Sequence, residues 1–80
     1  MHAAGESKLR DITAGFWKIR SDDVNDDLKF DAAHLHGMSS LRFYRFIAAV
    51  ESNFRVRLND VAAITSYESL RAAIHAARAA

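Results

Sequence analysis

Apolar residues recur at helical spacing in three stretches of the chain. Within each stretch they are three or four residues apart, the spacing that aligns side chains on one face of an α-helix. The three faces are Leu9, Ile12, Phe16 and Ile19; Phe43, Ile47, Val50 and Phe54; and Leu70, Ile74 and Ala77. The pattern predicts three main helices that bury these faces in one core.

Polar residues indicate where the helices begin and end. Ser7 can cap the first helix, which should end near Arg20, and Ser39 or Ser40 should begin the second. Segment 21–38 lies between these two helices and has no helical pattern of its own. We expect it to be a long ordered loop that is pinned to the core by three apolar residues, Leu28, Phe30 and Leu35. A loop of this length in a small domain is usually functional.

Two further signals follow the second helix. Asn59 or Asp60 can cap a short helix that runs through Ile64. Thr65 followed by Glu68 has the spacing of a capping box and predicts the start of the last helix. The predicted order is therefore helix, long loop, helix, short helix, helix.

The composition supports an all-α fold. The 80 residues include 15 alanines, three glycines and no proline, which favours helices over strands. This length fits one domain over residues 1–80. Because the chain has no cysteine, neither a disulfide framework nor a thiolate zinc site can stabilise it. No apolar run is long enough to span a membrane, and we expect a cytoplasmic monomer.

The charges are segregated along the chain, although the formal net charge is only +1. Segment 21–39 carries five aspartates against Lys29, whereas segment 40–80 carries six arginines against three acids. Arg42 and Arg45 lie three residues apart on the second helix and can contact phosphates or a protein. The aspartates before that helix would repel a polyanion, and the loop is too long for a helix-turn-helix, so a protein partner is favoured over nucleic acid.

Segment 23–36 contains a partial metal-binding pattern. The first three ligand positions of a calcium loop are matched by Asp23, Asn25 and Asp27. The match fails at the turn glycine, which is Leu28, and at the final glutamate, which is His34. His34 and His36 have no third zinc ligand at recognisable spacing. We therefore predict a solvated acidic loop without a metal.

Two serines, Ser39 and Ser40, stand together at the start of the second helix. A hydrolase would need a histidine base and a carboxylate held around one of them, and a small helical domain offers little to bury such a triad. A cap explains one serine. If Ser39 is the cap, Ser40 is free for modification, because a helix N-terminus favours a phosphate esterified there.

Residues 37–41, with the sequence GMSSL, resemble the phosphopantetheine attachment motif of acyl and peptidyl carrier proteins. That motif is usually glycine, an apolar residue, aspartate, serine and leucine, so four of the five positions agree. The resemblance extends over the whole chain, through the long loop before the motif, the close of the second helix at Glu51, Phe54 and Val56, and the segment 64–66 before the last helix. It implies a small carrier-protein-like bundle, and the length fits a free-standing carrier.

The resemblance implies a carrier rather than an enzyme. A phosphopantetheinyl transferase would attach 4′-phosphopantetheine from coenzyme A to Ser40, and the arm would hold an acyl or aminoacyl group as a thioester. The other partners would be a loading ligase or acyltransferase and a downstream synthase or transferase. One alternative is a peptidyl or aminoacyl carrier of the nonribosomal type. Another is a helical module without a prosthetic group that binds protein or nucleic acid.

The chain departs from the family pattern at two places. Ser39 stands where aspartate is usual, so either the transferase accepts serine there or the protein requires a particular transferase. Arg42 and Arg45 lie on the helix that fatty-acid carriers make acidic. The resemblance therefore implies a specialised pathway, such as polyketide, nonribosomal peptide or dedicated lipid modification, rather than housekeeping fatty-acid synthesis.

Overall fold

The computed structural model of the protein describes residues 3–79. It contains three α-helices, α1 (Ala3–Trp17), α2 (Ser40–Phe54) and α3 (Tyr67–Ala79). Two single 3-10 turns, Ser21–Asp23 and Val61–Ala63, lie in the connections. Strands do not occur between residues 3 and 79, and the predicted all-α fold with three main helices is confirmed. None of the described helices is both long enough and apolar enough to cross a membrane.

The predicted bounds of α1 are wrong at both ends. The helix begins at Ala3, so Ser7 lies inside it and is not its cap. It ends at Trp17 rather than near Arg20, because Lys18 adopts a left-handed conformation with φ of 56°. The Ile19 N–H then donates to the Ala14 carbonyl at 3.0 Å, which closes the helix in the manner of a Schellman motif.

The buried face of α1 is rotated from the predicted one. Leu9 is fully buried as predicted, but Thr13 and Trp17 are the other buried residues, whereas Ile12 and Phe16 are only half-buried. A polar residue is tolerated there because the Thr13 hydroxyl donates to the Leu9 carbonyl at 2.8 Å. The core can therefore hold the Thr13 hydroxyl, because its hydrogen bond is made within the helix.

The apolar face of α2 is buried as predicted. Phe43, Ile47 and Val50 are buried and Phe54 is half-buried. Phe46 is also fully buried, and its ring centroid is 5.3 to 5.6 Å from those of Phe16, Trp17 and Phe30. Tilted and edge-on aromatic pairs at this separation are favourable. This aromatic cluster joins α1, the long loop and α2.

The capping box of α3 lies one residue later than predicted. The pair is Ser66 and Ser69 rather than Thr65 and Glu68: the Ser66 Oγ accepts from the Ser69 N–H at 3.2 Å, and the Ser69 Oγ accepts from the Ser66 N–H at 2.9 Å. Serine at both positions can bond reciprocally because each hydroxyl is short and close to the backbone. The predicted inward residues Leu70 and Ile74 are fully buried, and Ala77 is half-buried.

The long loop packs on the core as predicted. Leu28, Phe30 and Leu35 are buried, and Val24 is buried as well. Two backbone hydrogen bonds tie the loop to the start of α3: Phe30 N–H donates to Thr65 O at 3.0 Å, and Tyr67 N–H donates to Leu28 O at 2.9 Å. These bonds fix the path by which the loop reaches α2.

The predicted short helix is only one 3-10 turn, Val61–Ala63. Asp60 precedes it in a left-handed conformation with φ of 52° and does not cap it with its side chain. The extended segment before this turn is held by Glu51, whose carboxylate accepts from the Leu58 N–H at 2.7 Å. Because that bond links the end of α2 to the connection, segment 56–60 lies along α2.

Candidate functional site

The two adjacent serines at the start of α2 have different roles in the structure. Ser39 is the N-cap: its backbone is extended, and its Oγ accepts from the Arg42 N–H at 3.2 Å. Ser40 is the first residue of the helix, and its side chain is exposed. Of the two serines that could begin this helix, Ser39 is therefore the cap. The cap bond does not use the Ser40 hydroxyl.

Gly37 shapes the approach to this helix start. Its φ of 77° lies in the left-handed region that glycine adopts readily. A Cβ at this position would also lie 2.5 Å from Nη1 of Arg42, so the guanidinium packs directly over the glycine backbone. The positive charge of Arg42 is thereby held beside the loop that delivers Ser39 and Ser40.

The residues that follow Ser40 present an apolar surface. Leu41 is 62% exposed and Tyr44 is 59% exposed, although both are large hydrophobic residues. Arg45 is exposed one turn after Leu41. A signal for these residues exists in the sequence, because Leu41 and Tyr44 fall outside the stripe of apolar residues that faces the core. The sequence analysis identified the arginines but not this apolar pair.

An open groove of about 630 Å³ runs beside α2. Tyr44 and Ile47 line it on α2, and Val61 and Leu58 line it on the connection to α3. The polar residues Glu51, Ser52, Arg57 and Asn59 also line it. Tyr44 belongs both to the groove and to the exposed surface next to Ser40, so the groove opens about one helical turn from the serine.

One ion pair binds the acidic loop to α3, and a second polar contact lies within the loop itself. Arg71 on α3 makes a two-point contact with Asp26, in which Nη2 lies 3.0 Å from Oδ2. This hydrogen bond holds the pKa of Asp26 below its ordinary value. The His34 Nδ1 lies 2.8 Å from Asp31 Oδ1, and the hydrogen bond lowers the pKa of Asp31 in the same way.

The candidate calcium ligands are close together. Asp23, Asn25 and Asp27 line a shallow pocket with His34. Asn25 Oδ1 is engaged by the Asp27 N–H at 2.9 Å, which is an Asx turn. Over the described residues, no three side chains of histidine, cysteine, aspartate or glutamate are arranged to hold a metal ion.

The structure does not assemble the candidate hydrolase. The His34 ring is bonded to Asp31, His36 is exposed, and in the part of the chain from residue 3 to residue 79 no hydrogen bond joins either histidine to Ser39 or Ser40. A nucleophile without a base in contact lacks the first requirement of a triad. Within residues 3–79, neither histidine is therefore positioned as a base for Ser39 or Ser40.

Comparison of the chain with protein-family models and with curated proteins gives no match.

Proposed function

We propose that the protein is an acyl or aminoacyl carrier that receives 4′-phosphopantetheine on Ser40. The observation that carries the proposal is the division between the two serines: Ser39 makes the cap bond at 3.2 Å, and Ser40 is exposed beside it. A serine needed only for the helix would be capping it. The Ser40 hydroxyl is instead available to an enzyme that approaches from solvent.

The electrostatics of the site fit a phosphate ester at Ser40. The first turn of a helix exposes backbone N–H groups, and the helix dipole places partial positive charge there. Arg42 adds a full positive charge at the loop before the helix, where its guanidinium packs over Gly37.

The attachment would join the Ser40 oxygen to the phosphorus of the phosphopantetheine phosphate. The hydroxyl proton would be lost to the transferase. The P–O bond of the coenzyme A pyrophosphate would break, and adenosine 3′,5′-bisphosphate would leave with the other phosphate. Once bound, the arm supplies a thiol that holds an acyl or aminoacyl group as a thioester. That role suits a chain without cysteine, because the cofactor supplies the reactive sulfur.

The groove beside α2 begins with Tyr44, about one turn from Ser40, and has a mixed lining. Ile47 and Val61 are apolar, but the polar residues Glu51, Ser52, Arg57 and Asn59 also line it, so the groove does not by itself select the cargo. The proposed partners are a phosphopantetheinyl transferase, a loading ligase or acyltransferase, and a downstream synthase or transferase in a specialised pathway. In this role the protein presents its cargo in the cytoplasm and is not itself an enzyme.

The test is modification by coenzyme A and a broad-specificity phosphopantetheinyl transferase, followed by intact mass. We expect the native protein to gain one arm, because Ser40 is the exposed acceptor and Ser39 the cap. Ser40→Ala should abolish the gain, and Ser39→Ala should retain it. Ser39→Asp, which restores the usual motif, should be modified at least as well as the native protein. Ser52→Ala, at another exposed serine of α2, is the matched control and should be modified normally.

Two results would contradict the proposal. If several transferases leave both the native protein and Ser39→Asp unmodified while the proteins are folded, the carrier function is wrong. If fragmentation of the modified protein places the arm on Ser39, the roles of the two serines are reversed. Intact mass of protein purified from its source would further separate an acyl from an aminoacyl or peptidyl cargo.

A second candidate function is a helical protein-interaction module without a prosthetic group. The exposure of Leu41 and Tyr44 favours it, because large apolar residues on a surface often mark a binding site. This candidate predicts partner binding that is insensitive to Ser40→Ala and to coenzyme A. The carrier instead requires Ser40 for transfer of cargo.

A further inference from the structure

The outward surface of α2 has an apolar centre. Leu41 and Tyr44 are three residues apart, and Ala48, also exposed, follows Tyr44 by four. At these spacings the three side chains are neighbours on one side of a helix. We call this set, with Arg42 and Arg45, the α2 outer face.

Positive charge lies along one edge of the α2 outer face. Arg45 follows Leu41 by four residues and Arg42 precedes Arg45 by three, so the two arginines adjoin the apolar centre on the same side. The Arg42 guanidinium lies against the backbone of Gly37. Glu51 is the acid of α2, and its carboxylate is engaged by the Leu58 N–H. The face is therefore apolar with a basic border.

We propose that the α2 outer face binds an amphipathic helix of a partner protein whose apolar stripe is bordered by acidic residues. The apolar stripe would cover Leu41, Tyr44 and Ala48, and the small side chain of Ala48 would let the two helices approach closely. The acidic border would pair with Arg45 and Arg42. Helix-on-helix packing of this kind needs apolar residues at spacings of three and four, which the face provides.

Charge favours such a partner over a second copy of this chain. A two-fold dimer through the α2 outer face would bring the same arginines of both copies together, which is repulsive. The aspartates of another copy are poorly suited as the acidic border. Asp26 is paired with Arg71 and Asp22 with Arg20, so two of them already have a cationic partner within the chain.

The α2 outer face lies next to Ser40, so a partner bound there would be close to the proposed attachment site. Ser40 precedes Tyr44 by four residues, so it lies beside the apolar centre on the side away from the arginines. A helix on the α2 outer face would hold a partner next to Ser40. The reason for bringing a partner next to Ser40 rests on the proposed function. Binding to the face itself is tested on unmodified protein.

The test is an NMR titration of the ¹⁵N-labelled native protein with a synthetic amphipathic helical peptide that has a leucine stripe bordered by glutamates. A scrambled peptide of the same composition and a lysine-bordered peptide are the controls. We expect the amide signals of residues 41–48 to shift with the glutamate-bordered peptide, and to shift much less with either control. Added salt should weaken binding, because the border contributes through exposed charges.

Variants of the face provide the decisive comparison. Leu41→Gln and Tyr44→Gln should each weaken binding about tenfold, as expected when a central apolar anchor is removed. Arg45→Glu should also weaken it, and more at low salt than at high salt. Arg10→Glu makes the same charge change at an exposed position on α1 and should leave binding close to that of the native protein. Thermal unfolding checks that each variant is folded.

Three results would overturn the inference. Equal binding of the scrambled peptide would show attraction of charge alone, and shifts confined to residues outside α2 would place the surface elsewhere. Sedimentation showing a dimer that Leu41→Gln dissociates would mean that a second copy occupies the face. A failure of Ser40 modification would leave the peptide result unchanged, so the two proposals fail separately.

Discussion

The starts of α2 and α3 each contain two serines, but only α3 uses both to hold its backbone. At α3, Ser66 and Ser69 bond to each other's N–H groups, and the Ser69 hydroxyl also donates to the Ser66 carbonyl at 2.9 Å. At α2, Ser39 accepts one bond from the Arg42 N–H, and Ser40 is exposed. A pair of serines therefore marks a helix start in both places and a candidate chemical site in only one.

The two helix starts also differ in burial: the α3 start is buried and the α2 start is exposed. Ser66 is 7% exposed, and the segment around it bonds to the long loop through Phe30 and Leu28. Ser39 and Ser40 are both exposed at the end of that loop. The α3 start thus anchors the loop, whereas the α2 start is what the loop presents to solvent. The difference suggests that substitutions should affect stability at one start and modification at the other.

The largest expected effect on stability is at the α3 start. Ser66→Ala removes the oxygen that accepts from the Ser69 N–H in a buried setting, and we expect a loss of about 1 to 2 kcal/mol in the free energy of unfolding. Ser69→Ala should cost a similar amount, since it removes the acceptor for two backbone N–H groups. Denaturant unfolding measures both values.

The double variant sharpens this result. Because the two serines bond to each other, Ser66→Ala with Ser69→Ala should cost less than the sum of the single losses. Additive losses would mean that the two hydroxyls act independently, and losses below about 0.5 kcal/mol would show that the reciprocal box does not stabilise α3.

Substitutions at the α2 start should lower the free energy of unfolding less than those at the α3 start, and Ser39 and Ser40 should differ from each other. Ser39→Ala should cost about 1 kcal/mol, the usual value of an N-cap, because the Arg42 N–H loses its acceptor. Ser40→Ala should change stability by less than about 0.5 kcal/mol, as for an exposed residue outside any hydrogen-bond network. Thermal and denaturant unfolding of the two variants measure the contrast. An equal cost at both positions would contradict the assignment of Ser39 as the cap.

The sequence predicted the helices better than their ends. Periodicity identified most of the buried residues of α2 and α3, because each of these helices has one dominant apolar face, but it missed Phe46 and Tyr67, which are fully buried. In α1 it failed at Thr13, whose hydroxyl is satisfied within the helix, and at Trp17, which extends the face by one turn. The start of α3 was wrong by one residue, because Thr65–Glu68 and Ser66–Ser69 have the same spacing and only packing separates them.

The candidate site was predictable in part. Ser39 as cap follows from residue type and from its place before an apolar stripe, and the structure has that bond. The packing of Arg42 over Gly37 depends on the conformation of the arginine side chain, which the spacing of residues in the sequence cannot predict. The sequence places Leu41 and Tyr44 outside the apolar stripe that faces the core. Their exposure could not be predicted from that position alone, because another element could have covered them.

The smallest expected effect concerns the ion pair that links the loop to α3 near its start. The pKa of Asp26 is lowered by its hydrogen bond with Arg71, so the folded state favours the charged carboxylate more than the unfolded state does. A lowered folded-state pKa gives stability that is present above the ordinary pKa of aspartate. That stability is lost as the pH falls through the folded-state pKa.

We expect Asp26→Asn to unfold at a lower temperature than the native protein near pH 6. The difference should shrink as the pH falls below the ordinary pKa of aspartate and through the lowered folded-state pKa, because the native carboxylate then becomes protonated. The difference should be small and should decrease with salt, because the pair is at the surface. Asp27→Asn removes the same charge without touching Arg71 and is the matched control. A difference for Asp26→Asn that stays constant over this whole fall in pH would show that the Arg71 contact does not favour the charged carboxylate. In that case the loop would be held at α3 by the backbone bonds of Phe30 and Tyr67 and not by the ion pair.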